Sequence, residues 1–189
     1  RAVLRSGDGN IYAAGGVGGD ALIVKVTPEG DLLWARRFDF TDRPDKILSF
    51  HRDDEGMLYG VSYASAVGAP PLERGAVAFR YDVENDDMLW VNYFNDHGRF
   101  HRISVNPLTG NYLAYGVYIR PVGVNDDAEL VELDRNTGTV LWNREFHTGS
   151  SDYFADVVYR GQQMLISGRS TFSGSTGGMR PTLYSFDLD

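Results

Sequence analysis

The sequence contains no cysteine among its 189 residues. This absence excludes disulfide bonds, thiolate metal sites and thiol nucleophiles together, and it leaves the cellular compartment open. Long apolar runs are missing as well, since the longest of them, such as 21–24, span only a handful of residues. A transmembrane helix needs about 20 apolar residues in a row, so the sequence predicts no transmembrane segment.

Basic residues are scarce beside acidic ones, 18 against 26, which gives a net charge of -8. An acidic surface repels phosphate backbones, so we expect no nucleic-acid partner. The hydrophobic content of 42% and the aromatic content of 13% are typical of one medium globular domain. The start of the sequence shows neither an initiator methionine nor a signal-peptide pattern, which leads us to expect a processed protein or a piece of a longer one.

Helical periodicity is also missing, because no segment shows a convincing 3.6-residue hydrophobic period over ten or more residues. What the sequence does contain is a repeat. Tryptophan recurs at Trp34, Trp90 and Trp142, 56 and 52 residues apart, and a phenylalanine follows each tryptophan by four residues. A turn-forming residue stands four residues before each tryptophan, at Gly30, Asp86 and Gly138.

Each repeat predicts four short strands, which in the third copy cover 100–105, 111–119, 128–133 and 139–146. Four-stranded units that repeat about every 40–50 residues are typical of β-propeller blades, because a small sheet buries both faces only between neighbouring sheets. We therefore predict an all-β fold, a single β-propeller segment over 1–189 built from four-stranded antiparallel blades. The blades are expected at about 1–39, 40–95, 96–147 and 148–189, with the repeated tryptophans and phenylalanines packed between them.

The fourth repeat supplies only three strands and stops where the outer strand of a blade is expected. Propellers typically have 4–8 blades. We therefore expect three complete blades plus three strands of a fourth, as part of a larger propeller or with the closing strand supplied from elsewhere. A four-bladed ring with a gap is the alternative.

The third repeat, AELVELDRNTGTVLW, resembles the repeat of quinoprotein-like propellers, the family of pyrroloquinoline-quinone (PQQ) proteins. The residues that carry this resemblance are Asp134, Thr137, Gly138 and Trp142. The resemblance implies a propeller fold. It is compatible with a quinone-dependent dehydrogenase and with non-catalytic assembly scaffolds and surface proteins.

The first repeat, GGDALIVKVTPEGDLLWARRF, is similar to the propeller repeats of secreted and surface bacterial proteins. The shared pattern consists of Asp20, Ala21, Lys25, Gly30 and Trp34. The second repeat departs from both families, because Asp86 replaces the turn glycine and no threonine precedes it. The resemblance to surface proteins implies an extracellular, cell-surface or periplasmic location.

Long loops on one face of a propeller are the expected place for binding. In this fold the loops between second and third strands, here 15–20, 64–75, 120–127 and 169–181, share a face with the connections between blades. The polar residues of those connections are our binding candidates. They are Asp39, Asp42, Arg43, Asp96, His97, Arg99, His147 and Asp152. The sequence places 96–97 and 147 at nearly equivalent positions, where they would converge near the central channel as a polar or metal site.

Two oxygen-rich turns are weak candidates for calcium, which takes 6–8 oxygen ligands. Their acidic residues are Asp82, Glu84, Asp86, Asp126 and Asp127. Neither turn has EF-hand spacing, and aspartate and asparagine favour turns in any case. Calcium is thus possible, while no cofactor is predicted outright.

Three functions compete on this sequence. The first is a non-catalytic propeller module of a secreted, cell-surface or periplasmic protein that binds protein or glycan or acts as a scaffold. The second is part of a PQQ-dependent dehydrogenase, although the family implies a cofactor cavity with Ca²⁺ and often adjacent cysteines, which this chain lacks. The third is a carbohydrate-active propeller with acidic catalytic residues. We favour the first, because no catalytic constellation emerges from the sequence.

Overall fold

The structure is a computed structural model that describes residues 2–41, 44–64, 75–94, 99–118, 126–148, 151–171 and 178–187. These residues form strands and turns. The fifteen strands are β1 Ala2–Arg5, β2 Ile11–Val17, β3 Asp20–Val26, β4 Leu32–Phe38, β5 Asp45–Arg52, β6 Leu58–Ala64, β7 Gly75–Asp82, β8 Asp87–Phe94, β9 Arg99–Val105, β10 Tyr112–Tyr118, β11 Asp127–Leu133, β12 Val140–Phe146, β13 Asp152–Arg160, β14 Gln163–Thr171 and β15 Met179–Asp187. The described part of the chain contains no helix long and apolar enough to cross a membrane.

The strands form four antiparallel meanders, which we call blades 1 to 4 in chain order. Blades 1 to 3 have the orders β1-β2-β3-β4, β5-β6-β7-β8 and β9-β10-β11-β12, and blade 4 has β13-β14-β15. The predicted strand positions of the third repeat are confirmed to within one residue at every end. The structure therefore shows an all-β array of four consecutive blades, whereas closure of a ring stays a prediction.

The hydrophobic core is divided into three layers, one between each pair of successive blades. Tyr12 and Ile23 of blade 1 pack with Ile47 and Phe79 of blade 2. Further layers join blade 2 to blade 3 and blade 3 to blade 4. Each inner sheet presents one face to the blade before it and the other face to the blade after it. Because side chains alternate between the two faces of a strand, apolar residues on both faces let the sheets stack into an array of blades.

The repeated tryptophans lie in these layers, as predicted. Trp34 and Trp142 are partly buried in the first and third layers, and Trp90 is buried in the second. Trp90 shows the arrangement best: its Nε1–H donates to the backbone carbonyl of Arg135 at 3.0 Å. Its ring lies directly over Gly138, where an added Cβ would stand 2.5 Å from a ring carbon. The tryptophan of one blade thus packs on the hairpin turn of the next blade.

Asp86 explains how the second repeat manages without a turn glycine. It has a φ of 56°, the left-handed conformation that Gly30 and Gly138 adopt at the equivalent positions. Aspartate tolerates this conformation better than most residues. Its carboxylate also accepts a bond from the Tyr81 hydroxyl and pairs with Arg36 of blade 1 at 2.9 Å. A contact between blades therefore accompanies the strained turn.

One face of the array, the lower face, carries the tight turns and a buried ionic cluster between blades 2 and 3. The Asp53 side chain has no exposed surface and accepts bonds from Arg80 at 3.0 Å and from the Tyr112 hydroxyl at 2.7 Å. Arg135 lies 3.3 Å from the same carboxylate oxygen. Burial, followed by the neighbouring Asp53, raises the pKa of Tyr112 far above its ordinary value. This cluster joins two blades through charges that are almost completely removed from water.

The opposite, upper face brings together the two classes of loop that the sequence assigned to it. The backbone N–H of Asp45, in the connection to blade 2, donates to the Gly19 carbonyl in the β2–β3 loop at 2.6 Å. The N–H of Asp152 donates to the Asp126 carbonyl before β11 at 2.8 Å. The two classes of loop are therefore in contact at the junction of blades 1 and 2 and at the junction of blades 3 and 4.

Candidate functional site

The structure places the described binding candidates on the upper face, in different surroundings. Asp42, Arg43, Asp96 and His97 lie outside the described residues. Asp39 is exposed directly after β4, Arg99 begins β9, His147 follows β12 and Asp152 begins β13. What each residue contacts decides what it can bind.

Asp152 fastens the connection between blades 3 and 4. It is fully buried, and its carboxylate accepts bonds from the Thr148 N–H at 3.0 Å and from the Thr148 hydroxyl at 2.8 Å. Asp45 caps the connection between blades 1 and 2 in the same way, with bonds of 3.0 and 3.1 Å from Thr41. Burial raises the pKa of Asp45, against the opposing effect of these bonds. The shared Thr-x-x-x-Asp spacing therefore marks a structural cap.

His147 belongs to a compact cluster of two carboxylates and one imidazole, which we call the His147 cluster: Asp127, Glu145 and His147. The imidazole Nδ1 lies 2.6 Å from Asp127 Oδ1, and Nε2 lies 3.9 Å from Glu145 Oε2. The Asp127 side chain is 4% exposed while that of His147 is 54% exposed. The cluster is therefore buried at Asp127 and open to solvent at His147.

Arg99, at the start of blade 3, places its guanidinium over an aromatic ring. Its guanidinium carbon is 4.3 Å from the centre of the Tyr63 ring, and its Nη2 donates to the Tyr63 hydroxyl at 3.3 Å. Lys46 approaches the same ring at 5.7 Å. Within the described residues, Arg99 Nε is a buried donor without a hydrogen-bond partner. A donor in that position is costly unless a ligand or water satisfies it.

A second arginine acts on the start of β9. Arg169 is exposed, and its guanidinium lies 4.6 Å from the centre of the Tyr153 ring in blade 4. His101 lies close enough to both arginines for their charges to act on it, because they lower its pKa after the larger effect of burial. We call Arg99 and Arg169 the upper cationic cluster, and the uncharged form of His101 is favoured beside them. This cluster is a local concentration of positive charge on a chain whose net charge is -8.

The inner strands of all four blades enclose a cleft of about 370 Å³. His51, Arg102 and Asp156 line it, together with Tyr115, whose hydroxyl donates to Asp156 at 3.2 Å. Burial, followed by the charge of Arg102, lowers the pKa of His51. The centre of the array is therefore polar and continues the polar character of the upper face.

Two histidines, the exposed His51 and the half-buried His101, predict a pH dependence of stability. The pKa of both His51 and His101 lies below the ordinary value of 6.5 in the folded protein. As pH falls through 6.5, the unfolded chain takes up protons that the folded protein does not, so the free energy of unfolding decreases. We expect urea denaturation between pH 7.5 and 5.5 to show this decrease, and we expect it to be smaller in the double variant His51→Gln/His101→Gln. An unchanged pH slope in the variant would contradict this origin.

Three of the weak calcium candidates, Asp82, Asp86 and Asp126, already have other partners in the structure. Asp82 caps its own turn by accepting bonds from the N–H groups of Glu84 and Asn85 at 2.9 and 3.1 Å. Asp86 pairs with Arg36, as described above, and Asp126 lies 3.4 Å from the Tyr153 hydroxyl. Only Asp127 belongs to a cluster of three potential ligands within the described residues.

Sequence reasoning missed Glu145, Glu129, Tyr63 and Arg169 as members of the upper face. The sequence did contain a signal for Glu145 and Glu129. Asp127 and Glu129 stand two residues apart and so share one face of a strand, and Glu145 and His147 stand two residues apart along the next strand. Glu129 and Glu145 are indeed cross-strand partners, and Glu129 is fully buried. The aromatic partners of the arginines could not be found, since they come from other strands.

The comparisons with known proteins support the fold alone. No protein-family model matches the chain, and no curated protein matches it. Among solved structures it is similar to a chain of Kuenenia stuttgartiensis hydrazine synthase, with 12% sequence identity and a TM-score of 0.52. The similarity covers 99% of this chain and 62% of that one. At this identity the likeness concerns the arrangement of strands and not the activity.

Proposed function

We propose that this chain is a non-catalytic β-propeller module of a secreted, cell-surface or periplasmic protein, and that its upper face binds an anionic group of a protein or glycan. The observation that carries the proposal is Arg99, whose guanidinium is held on Tyr63 with a buried Nε–H that lacks a partner in the described part of the chain. The location rests on the similarity of the first repeat to those of secreted and surface proteins.

Residues that pack between blades are separate from residues that are free to bind a ligand, and this separation supports a binding role for the upper face. The repeated tryptophans and the ionic cluster around Asp53 are used between blades. The upper cationic cluster, in contrast, lies where loops can vary without disturbing the core. Its positive charge attracts anions against a negative background and favours their approach.

The chemistry of arginine favours an anionic ligand over a neutral one. A guanidinium stacked on an aromatic ring keeps its planar donors in a fixed orientation, which suits carboxylate, sulfate or phosphate groups. Arg169 on Tyr153 repeats the arrangement in the next blade. Two such pairs on one face support recognition of a ligand with more than one negative charge.

Both end blades carry exposed apolar side chains on the faces that turn away from the array. On blade 1 Val3 is 74% exposed, and on blade 4 Leu183 is 71% exposed. We propose that further blades, of the same or another chain, cover these faces, because blades 2 and 3 bury the corresponding positions. A larger propeller would place the upper face around a central channel.

A binding panel tests the proposal. Wild-type protein and the Arg99→Gln variant are applied to immobilised sulfated, carboxylated and neutral glycans and to acidic and neutral peptides. We expect binding to anionic members only, with loss in the variant, while Arg160→Gln on the lower face serves as the matched control. Arg160 is exposed, like Arg169, but lies at the far end of β13.

Three outcomes would contradict the proposal. Binding to neutral members that Arg99→Gln leaves intact would remove the role of the cationic cluster. Dye-linked oxidation of alcohols or sugars after addition of PQQ and Ca²⁺ would instead support the dehydrogenase alternative. Hydrolysis of a glycan in the panel would support the carbohydrate-active one.

A further inference from the structure

The geometry points to a transition-metal site at the His147 cluster: we infer that Asp127, Glu145 and His147 bind one divalent ion of the Zn²⁺ type. The inference stands on a different set of residues from the proposed function and does not depend on it. The three residues come from two adjacent strands, since Asp127 begins β11, Glu145 lies near the end of β12 and His147 directly follows β12. Within the described residues, this is the group of three potential ligands whose atoms all lie within 4.8 Å of one another.

The distances are close to those of a coordinated ion. Zn–N and Zn–O bonds are about 2.0–2.2 Å long, so two ligand atoms on a tetrahedral ion stand about 3.3 Å apart. Only one imidazole nitrogen binds the ion, and one ligand atom from each of the three residues can be chosen so that all three lie within 4.8 Å of one another. Side-chain shifts on the order of 1 Å therefore convert the hydrogen-bonded cluster into a coordination shell.

The backbone under the cluster belongs to a regular antiparallel strand pair. Ala128 pairs with Phe146 and Glu129 pairs with Glu145 in the β11–β12 ladder. Phe146 packs edge-on against Phe154 of blade 4 at 5.0 Å. Ligands that are fixed on neighbouring strands require little ordering when an ion binds, and ligand sets on strands are more precise than those on loops.

Charge and exposure both favour a cation. The Asp127 carboxylate is almost completely buried, and the fully buried Glu129 lies on the same face of the same strand. Acidic groups in a site of low dielectric attract a divalent ion strongly. The half-exposed imidazole of His147 forms the open side, through which an ion and a fourth ligand can enter.

The types of ligand atom in the cluster indicate which metals it suits. One imidazole nitrogen with two carboxylates suits zinc and its neighbours in the transition series. Calcium prefers 6–8 oxygen ligands, and this cluster offers two carboxylates and a nitrogen. Three protein ligands leave a coordination position for water or for an external group, as in zinc sites that are not purely structural.

Calorimetric titration tests the inference directly. Tag-free protein is stripped with a chelator and titrated with ZnCl₂. We expect one Zn²⁺ per chain and at least about tenfold weaker binding in His147→Gln, since the loss of even an outer contact weakens metal sites by 10–100-fold. His51→Gln and Asp54→Asn, a histidine and an exposed carboxylate outside the cluster, are the controls and should bind as the wild type does.

A second measurement uses the wild type alone, so its result does not depend on whether a variant folds. In the wild type, Zn²⁺ should shift the ring ¹⁵N resonances of His147 and leave those of His51 in place. Absence of binding at millimolar Zn²⁺, or binding that His147→Gln leaves unchanged, would overturn the inference. Displacement of Zn²⁺ by a tenfold excess of Ca²⁺ would overturn the assignment to a transition metal.

Discussion

Replacement of Gly138 by alanine is expected to destabilise the protein by about 3 kcal/mol. Two costs add up. A non-glycine residue in the left-handed conformation costs about 1–2 kcal/mol, and Gly138 has a φ of 71°. The added Cβ would also stand 2.5 Å from the Trp90 ring, and such overpacking costs about 1–3 kcal/mol. Urea denaturation followed by circular dichroism measures the sum.

Gly110 is the matched control for the conformational cost. Its φ of 74° is nearly the same, and an added Cβ would meet nothing within 4 Å. We expect Gly110→Ala to cost only about 1–2 kcal/mol. The difference between the two alanine variants therefore isolates the contact between the Trp90 ring and the turn of the next blade.

A double-mutant cycle turns this difference into a test of contact between blades. Trp90→Ala alone should cost about 3–5 kcal/mol, the usual range for a buried aromatic residue. In the Trp90→Ala background the Gly138→Ala substitution should cost no more than Gly110→Ala, because the ring that it would strike is gone. Costs that remain strictly additive would show that the tryptophan does not pack on the turn.

Removal of the Asp53 carboxylate is the second change with a large expected effect. Asp53→Ala should destabilise the protein by about 3–5 kcal/mol, since it removes the buried carboxylate that pairs with Arg80 and Arg135 and leaves them only the more exposed Glu55 and Asp54. The Arg80 side chain is only 6% exposed and lies 3.0 Å from the Asp53 carboxylate. The Tyr112 hydroxyl loses its acceptor at the same time. Urea denaturation of the variant measures the effect.

Asp54 provides the comparison at the next position. It pairs with Arg135, as Asp53 does, but its side chain is 81% exposed. Exposed ion pairs contribute about 0–1 kcal/mol, so Asp54→Ala should be close to the wild type. Equal losses in the two variants would contradict the view that burial gives the Asp53 cluster its strength.

The fold was predictable because its signals are local and repeated. The spacing of Trp34, Trp90 and Trp142 revealed the blades, and the residues before each tryptophan revealed the turns. Alternation along a strand is fixed by the pleat, so the four strands of the third repeat could be placed almost to the residue. The packing of the tryptophans between blades followed from the same pattern.

The contacts within the upper and lower faces could not be predicted from the sequence, because they join residues that are distant in it. Arg80 meets Asp53 and Arg99 meets Tyr63 only after sheets have stacked. Asp152 resembled a binding residue as an acidic group in a loop, and only its burial and its bonds to Thr148 reveal it as a cap. The sequence shows that a residue is charged, but it does not show whether the side chain is buried or exposed.

The measurement that tests the account most directly is the dissociation constant of the tightest anionic ligand from the panel, determined for the wild type, Arg99→Gln and Arg160→Gln. Hydrogen bonds to charged groups contribute about 1.5–3 kcal/mol, so Arg99→Gln should weaken binding by about tenfold or more while Arg160→Gln changes it by less than about twofold. Equal weakening by both substitutions, or tight binding by a folded Arg99→Gln variant, would contradict the assignment of binding to the upper face.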